Sequence, residues 1–470
     1  MSRMPAPSRG PSLRTLVEQT PDSRDRAVDL LRAAAILTVV FWHWVAVVIV
    51  VRDGQLTGTN GLGLWPPAEW LSWLWQVMPL FFLVGGYAGM ASWQSARAAG
   101  RPPLGWLADR LRRLLRPTTV FLAAVVAGIV VGRLVADPGL VATAAWLVAI
   151  PLWFLAVYVA VVAVTPLLVL AHERWGLWSI GALVLAVTVA DALRLASGQA
   201  MAAAPNFLLV WLCLYALGMA WRAGTLLAWR RTPAAMLAGG GLLAVALVAL
   251  GPYPVSMLGV PGEQFQNTAP PTLALLAYGV AQSGLVLMLR DPLGRLARRR
   301  LVWTATAAVN ATILTVYLWH LVPVLVAAPA LYLTGLLPTP EPLSAAWFGL
   351  RPVWALACAA VLVVLVFALG RFERPRRAGH VRPAAEATPA RIAGAALGVG
   401  ATCAGLALLT AAGTGNVTRP EFLAATVLLY AAGLGLTRAA VHDDLVLRSG
   451  IRTSSSSGVG SRRSAERPDE

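Results

Sequence analysis

Apolar residues along this chain run in long blocks, separated by short polar stretches rich in arginine, glycine and proline. A helix needs about 20 such residues to cross roughly 30 Å of hydrocarbon. Blocks of that kind lie near 28–51, 71–92, 117–135, 147–170, 177–196, 205–222, 234–251, 271–289, 304–327, 347–370, 392–412 and 422–438. The pattern predicts an all-α, polytopic transmembrane helix bundle of about a dozen spans. Only helices and closed barrels satisfy their backbone in lipid, and barrel strands would be shorter and alternating. The stretches 140–170 and 304–333 exceed one span, leaving room for a short interfacial helix beside each.

Composition agrees: of 470 residues, 58% are hydrophobic and 13% charged, against about one-quarter charged in soluble domains. The net charge of +17 would suggest nucleic acid in a soluble protein, but its distribution argues otherwise. Every basic residue is arginine, and only five of the 38 (Arg52, Arg133, Arg194, Arg351 and Arg419) fall on one set of alternate loops or span ends. The arginine-rich side is expected to be cytoplasmic, with an even number of spans and both termini inside. The charge then serves topology and anionic lipid, not nucleic acid.

The polar arm 1–27 leads into an uncleaved first span, and arm and tail (439–470) have disordered compositions. Between them come a ten-span block (28–370), a basic loop (371–391) and two small-residue spans (392–438). Cys213, Cys358 and Cys403 are scattered without paired spacing, so neither a disulfide framework nor a metal site is expected.

Ionisable residues inside spans carry the chemical signal, because a charge at mid-bilayer costs about 2.5–3.5 kcal/mol even on the lenient scale. The first span holds Asp29, Arg32 and His43. At 3.6 residues per turn the three share roughly one face, with His43 about 16 Å beyond Arg32. The plain account is an interfacial ion pair and a satisfied bundle histidine. The functional one makes neutral His43 a proton acceptor for an attacking hydroxyl. Arg110, Arg113 and Arg116 recur every three residues where the third span opens. That ridge suits either ordinary positive-inside anchoring or phosphate binding by guanidinium forks. His320, ending Tyr317-Leu318-Trp319-His320, reads as an interfacial residue held by a carbonyl in preference to a second cavity residue. Asp191 and Arg194 pair with each other or belong to an acceptor site; Gly85, Gly86 and Gly89 mark close helix packing.

In order and spacing these residues resemble the acyltransferase-3 family of integral-membrane acyltransferases, in their actinobacterial form. The match rests on Arg26 to Arg32 followed by His43, and on Pro79-Leu80-Phe81-Phe82-Leu83-Val84-Gly85-Gly86-Tyr87. It rests also on the ridge ending Arg116-Pro117, on Asn310 through His320, and on Pro151-Leu152-Trp153-Phe154-Leu155. It covers roughly residues 25–374 and leaves the last two spans outside. The family often has Ser-Gly where this chain has Gly85-Gly86, so no role of that serine carries over.

The resemblance implies an enzyme of a bacterial plasma (inner) membrane, with no bound cofactor. Acyl-CoA would be the cytoplasmic co-substrate, and a glycan or lipid-linked hydroxyl the acceptor. Arg110, Arg113, Arg116 and Arg32 would hold the donor phosphates, Asp29 would hold Arg32, and His43 would act as general base or transient acyl carrier. Tyr317, His320 and Trp153 would line the cavity. The rival expectations are a transporter, disfavoured by span interiors almost free of acids, and a non-catalytic scaffold.

Overall fold

The computed structural model describes residues 20–21, 24–52, 55–260, 262–373 and 387–441. The arm before residue 20, residues 374–386 of the basic loop and the tail beyond 441 lie outside the described residues. Among the described residues, eleven helices are long and apolar enough to cross a bilayer. A twelfth crossing is a bent pair, Arg300–Ala311 and Ile313–Trp319, whose halves meet at 63°. Each apolar block coincides with one of these twelve.

The helices that matter for the site are labelled in chain order: α1 (Arg26–Ala46), α2 (Met78–Ala98), α3 (Pro103–Val135), α4 (Leu152–Ala163) and α5 (Asn206–Arg222). They continue with α6 (Arg300–Ala311), α7 (Ile313–Trp319), α8 (Ala345–Leu369), α9 (Pro389–Ala411) and α10 (Pro420–Val441).

Helix α1 starts where Asp25 caps the backbone N–H groups of Ala27 and Val28 at 3.0 and 3.2 Å. It stops at Ala46, short of the expected residue 51. Val47–Arg52 instead forms strand β1, paired antiparallel with β2 (Gln55–Asn60), Val47 opposite Asn60. Val47-Val48-Ile49-Val50-Val51 is five β-branched residues in a row, which hydropathy counts as span but whose stiff χ1 angles favour a strand.

Helix α3 has 33 residues, about 50 Å at 1.5 Å each. It therefore outruns the hydrocarbon, and its first third carries the arginine ridge as a helical extension. Helices α2 and α5 touch backbone to backbone. A Cβ on Gly86 would overlap the carbonyl oxygen of Tyr215, and one on Gly218 that of Leu83, the small-residue packing that replaces hydrophobic drive between membrane helices.

The last two spans dock against the rest of the bundle. Helices α9 and α10 pack on each other through Gly398, Gly405 and Gly433, and α9 lies along α4. The Tyr430 hydroxyl on α10 shares a 2.7 Å hydrogen bond with Thr119 on α3, and Arg133 donates to the Thr418 carbonyl at 2.8 Å.

Candidate active site

Asp29 and Arg32 lie one turn apart near the start of α1, with guanidinium and carboxylate 3.1 Å apart. Asp29 is 6% exposed and receives a second guanidinium, from Arg24. Two cations thus balance one buried carboxylate. The rest of Arg32 is oriented from α6: its Nε donates to Asn310 Oδ1 at 2.7 Å, and Asn310 Nδ2 donates to the Asp29 carbonyl at 2.9 Å. Asn310 closes a ring of bonds among α1's two ionic residues and its own helix.

Arg32 faces a cavity of about 460 Å³. Arg110 and Arg113 line it from α3, Gly85 and Gly89 from α2, Phe154 and Tyr158 from α4, and Tyr215 from α5. Arg110 donates to the Ala88 carbonyl at 3.2 Å, which pins it at the wall, whereas Arg113 is exposed. Arg116 is half-buried and not part of this lining. Three guanidinium groups above an aromatic trough give the cavity a cationic rim and an apolar floor.

The break between α6 and α7 opens on the same space. Starting a helix at Ile313 leaves N–H groups without intrahelical partners. Glu373, just beyond α8, supplies them: its carboxylate accepts from Leu314 N at 3.0 Å, Thr315 N at 2.9 Å and Thr315 Oγ1 at 2.8 Å. Burial pushes the Glu373 carboxyl above its ordinary range, while those bonds and the nearby Arg32 charge pull it back.

Tyr317 lines the far end of the cavity and donates its hydroxyl to the Pro151 carbonyl at 2.8 Å. Past it, 5.8 Å between ring centroids, lies His320, and the His43 ring stands 5.0 Å from that of His320. Both histidines are tied alike. His43 Nδ1 lies 2.8 Å from the Val39 carbonyl and His320 Nδ1 2.6 Å from that of Tyr317. A carbonyl can only accept, so each Nδ1 carries the hydrogen and each neutral ring presents Nε2 as an unprotonated acceptor. His43 is half-buried; His320 is 1% exposed and its Nε2 has no partner. The Trp44 indole donates to the His320 carbonyl at 2.6 Å, and the Trp354 indole to the Trp44 carbonyl at 2.9 Å. Two bases are thus held side by side by α1, α7 and α8.

Of the residues singled out in the sequence, Arg32, Arg110, Arg113 and Tyr317 meet in the cavity. Asp29 supports Arg32, and His43 and His320 form the pair beyond it. Trp153 packs on Phe154 and Trp211 beside the cavity without lining it. Asn310 as a partner of Arg32, Glu373 as a cap, and Tyr158 and Tyr215 as walls were not anticipated. Asn310 stood within a recognisable motif, but the other three carry no sequence signal that separates them from packing residues.

A family model described as an acyltransferase domain matches residues 25–371. No curated protein and no solved structure matches the chain.

Proposed function

The chain belongs to the acyltransferase-3 family and is a multi-pass membrane acyltransferase, and from that premise we propose that it moves an acyl group, acetyl first among candidates, from cytoplasmic acyl-CoA to a hydroxyl of a glycan or lipid-linked sugar. The observation that carries this reading is the pairing of His43 and His320 immediately past Tyr317, at the end of a cavity rimmed by Arg32, Arg110 and Arg113.

The donor's phosphates suit the three guanidinium groups, whose forks match phosphate oxygens. Its pantetheine arm suits the aromatic trough below. The thioester then has to pass the Tyr317 ring, which the bond to Pro151 holds in place. At the histidines, the acceptor hydroxyl gives its proton to His43 Nε2 while its oxygen attacks the thioester carbonyl. The carbon–sulfur bond breaks, and the departing thiolate takes the proton back from the imidazolium. General-base help of this kind is worth about 10²–10⁴ in rate. His320, whose Nε2 has no partner, is placed to share the proton.

The test is transfer of label from radiolabelled acetyl-CoA in membranes holding matched amounts of wild type, His43→Ala, His320→Ala and Arg113→Ala. The expected result is loss of transfer in His43→Ala and a raised donor KM in Arg113→Ala. Full transfer by His43→Ala would show that this histidine is not the base.

A further inference from the structure

At the end of the bundle away from Arg32 lies a cation that nothing in the proposed donor chemistry uses. Arg351 is 7% exposed, and it alone among the described residues has all three guanidinium nitrogens buried without a hydrogen-bond partner. Its guanidinium carbon lies over the Trp347 ring, 3.6 Å from the centroid. That stack replaces part of the lost hydration but offers no acceptor to any N–H. Arginine does not shed its proton in proteins, and burying an uncompensated charge is strongly unfavourable. A side chain so held is complete only when an anion joins it.

Its place in the bundle says which anion. Arg351 and Glu373 lie toward opposite ends of the α8 segment, and Glu373 lines the donor cavity. Trp354, one turn from Arg351 (about 4.5 Å of rise), donates to the carbonyl of Trp44, the neighbour of His43. Trp44 in turn holds the His320 carbonyl. Arg351 is thus linked through Trp354 and Trp44 to the histidine pair, at the end of α8 away from Glu373 and the donor cavity. The ring under the guanidinium belongs to an aromatic cluster that reaches the surface: half-exposed Trp65 and Phe348 pack at 6.2 Å, and Phe348 packs on Trp347 at 4.9 Å.

We propose that Arg351 binds an oxyanion, carboxylate or phosphate, carried by the hydroxyl acceptor itself, so that the acceptor is an acidic sugar or a lipid-linked sugar phosphate. This rests on the acyltransferase reading for the word acceptor, but the anion site stands on geometry alone. The guanidinium fork takes two oxygens of either group side by side, and the fixed anion then aligns a hydroxyl of the same molecule with His43.

The experiment uses the full chain in phosphatidylcholine nanodiscs and measures thermal unfolding, with no acyl transfer involved. The probes are glucuronate and geranyl phosphate, with glucose and geraniol as neutral counterparts. Wild type should gain a saturable rise in Tm with at least one anionic probe and none with its neutral counterpart. In Arg351→Met the half-saturating concentration should rise about tenfold or more, the scale of a lost charged hydrogen bond. Ligand-free Arg351→Met should melt higher than ligand-free wild type, because an unpaired buried charge has been replaced by an apolar chain of similar length. Arg351→Lys, which keeps the charge but not the fork, should retain weakened binding.

Whichever anionic probe responds identifies the acid the acceptor carries. Equal responses in wild type and Arg351→Met, no response to either anion, or a lower melting point for ligand-free Arg351→Met would each overturn the proposal. So would phosphatidylglycerol discs that reproduce the rise unaided, since the anion would then be a bilayer headgroup. A His43→Ala enzyme with full activity would sink the general-base reading and leave these binding results untouched.

Discussion

Replacing Glu373 by alanine should unfasten the broken ninth span. The carboxylate receives two backbone N–H groups and one hydroxyl across the start of α7, at 2.8 to 3.0 Å. Each buried donor left without an acceptor costs about 1–3 kcal/mol. Because Glu373 borders the cavity, water can reach some of what it leaves, so the low end applies to each N–H and Thr315 can rotate its hydroxyl elsewhere. The expected loss is about 2–4 kcal/mol for Glu373→Ala. Glu373→Gln keeps one carbonyl oxygen for Thr315 and avoids burying a charge, but its NH2 faces the Leu314 N–H and cannot accept from it, so it should cost about 1–2 kcal/mol, less than the alanine variant. The two variants also separate in pH. A carboxyl raised by burial in the folded state contributes stability that is fully present below its unfolded value and lost as pH rises through the folded one. Wild type should therefore lose stability over that interval, and Glu373→Gln should lack the slope. Unfolding of the purified protein by added SDS in mixed micelles, followed at several pH values, reads all three quantities. An alanine variant within about 0.5 kcal/mol of wild type would mean that something other than Glu373 holds the bend, and the reasoning would fail.

Three further outcomes follow from the packing and the polar ring. Gly86→Ala should prevent α2 and α5 from closing, since its Cβ overlaps the Tyr215 carbonyl; a loss of about 3 kcal/mol or more would appear as aggregation on size exclusion. Asn310→Leu should cost Arg32 its Nε acceptor, about 1.5–3 kcal/mol for a bond to a charged group. A donor affinity equal to wild type, by titration with CoA, would argue that Asp29 alone fixes Arg32. Tyr430→Phe removes the hydroxyl that bonds Thr119 and should cost about 1 kcal/mol. Faster proteolytic release of the last two spans would reveal it, and unchanged release would show that their glycine contacts suffice.

The span positions were legible because hydropathy alone decides them, and so was the shared face of Arg32 and His43, which follows from helical period. Contacts between distant segments were not legible. Nothing local says that His320 meets His43, 277 residues earlier in the chain, and the aromatic surroundings of His320 pointed instead to an interfacial packing role. The bend at Thr312 falls inside an apolar block that hydropathy reads as continuous. It becomes intelligible only when Glu373 is seen capping the second half. The β1–β2 hairpin did leave a trace, a β-branched run followed by Asp53-Gly54, a common hairpin signal. Its high hydropathy hid it inside the predicted first span. Arg351 was counted as one of a few arginines on the sparse side, and its lack of any hydrogen-bond partner is a property of the packed bundle.

The cap on the ninth span also bears on the order in which this chain can be made. Glu373 is synthesised 59 residues after Leu314, whose N–H it receives, with the whole of α8 in between. When the segment carrying α7 leaves the ribosome, its acceptor does not yet exist, and lipid supplies none. Until α8 has threaded and delivered the carboxylate, those N–H groups depend on water in the cavity or on the insertion machinery for acceptors. The cap is a late event of biogenesis, and a nascent chain arrested before residue 373 should hold the other walls of the cavity but a ninth span whose bend is not yet fastened.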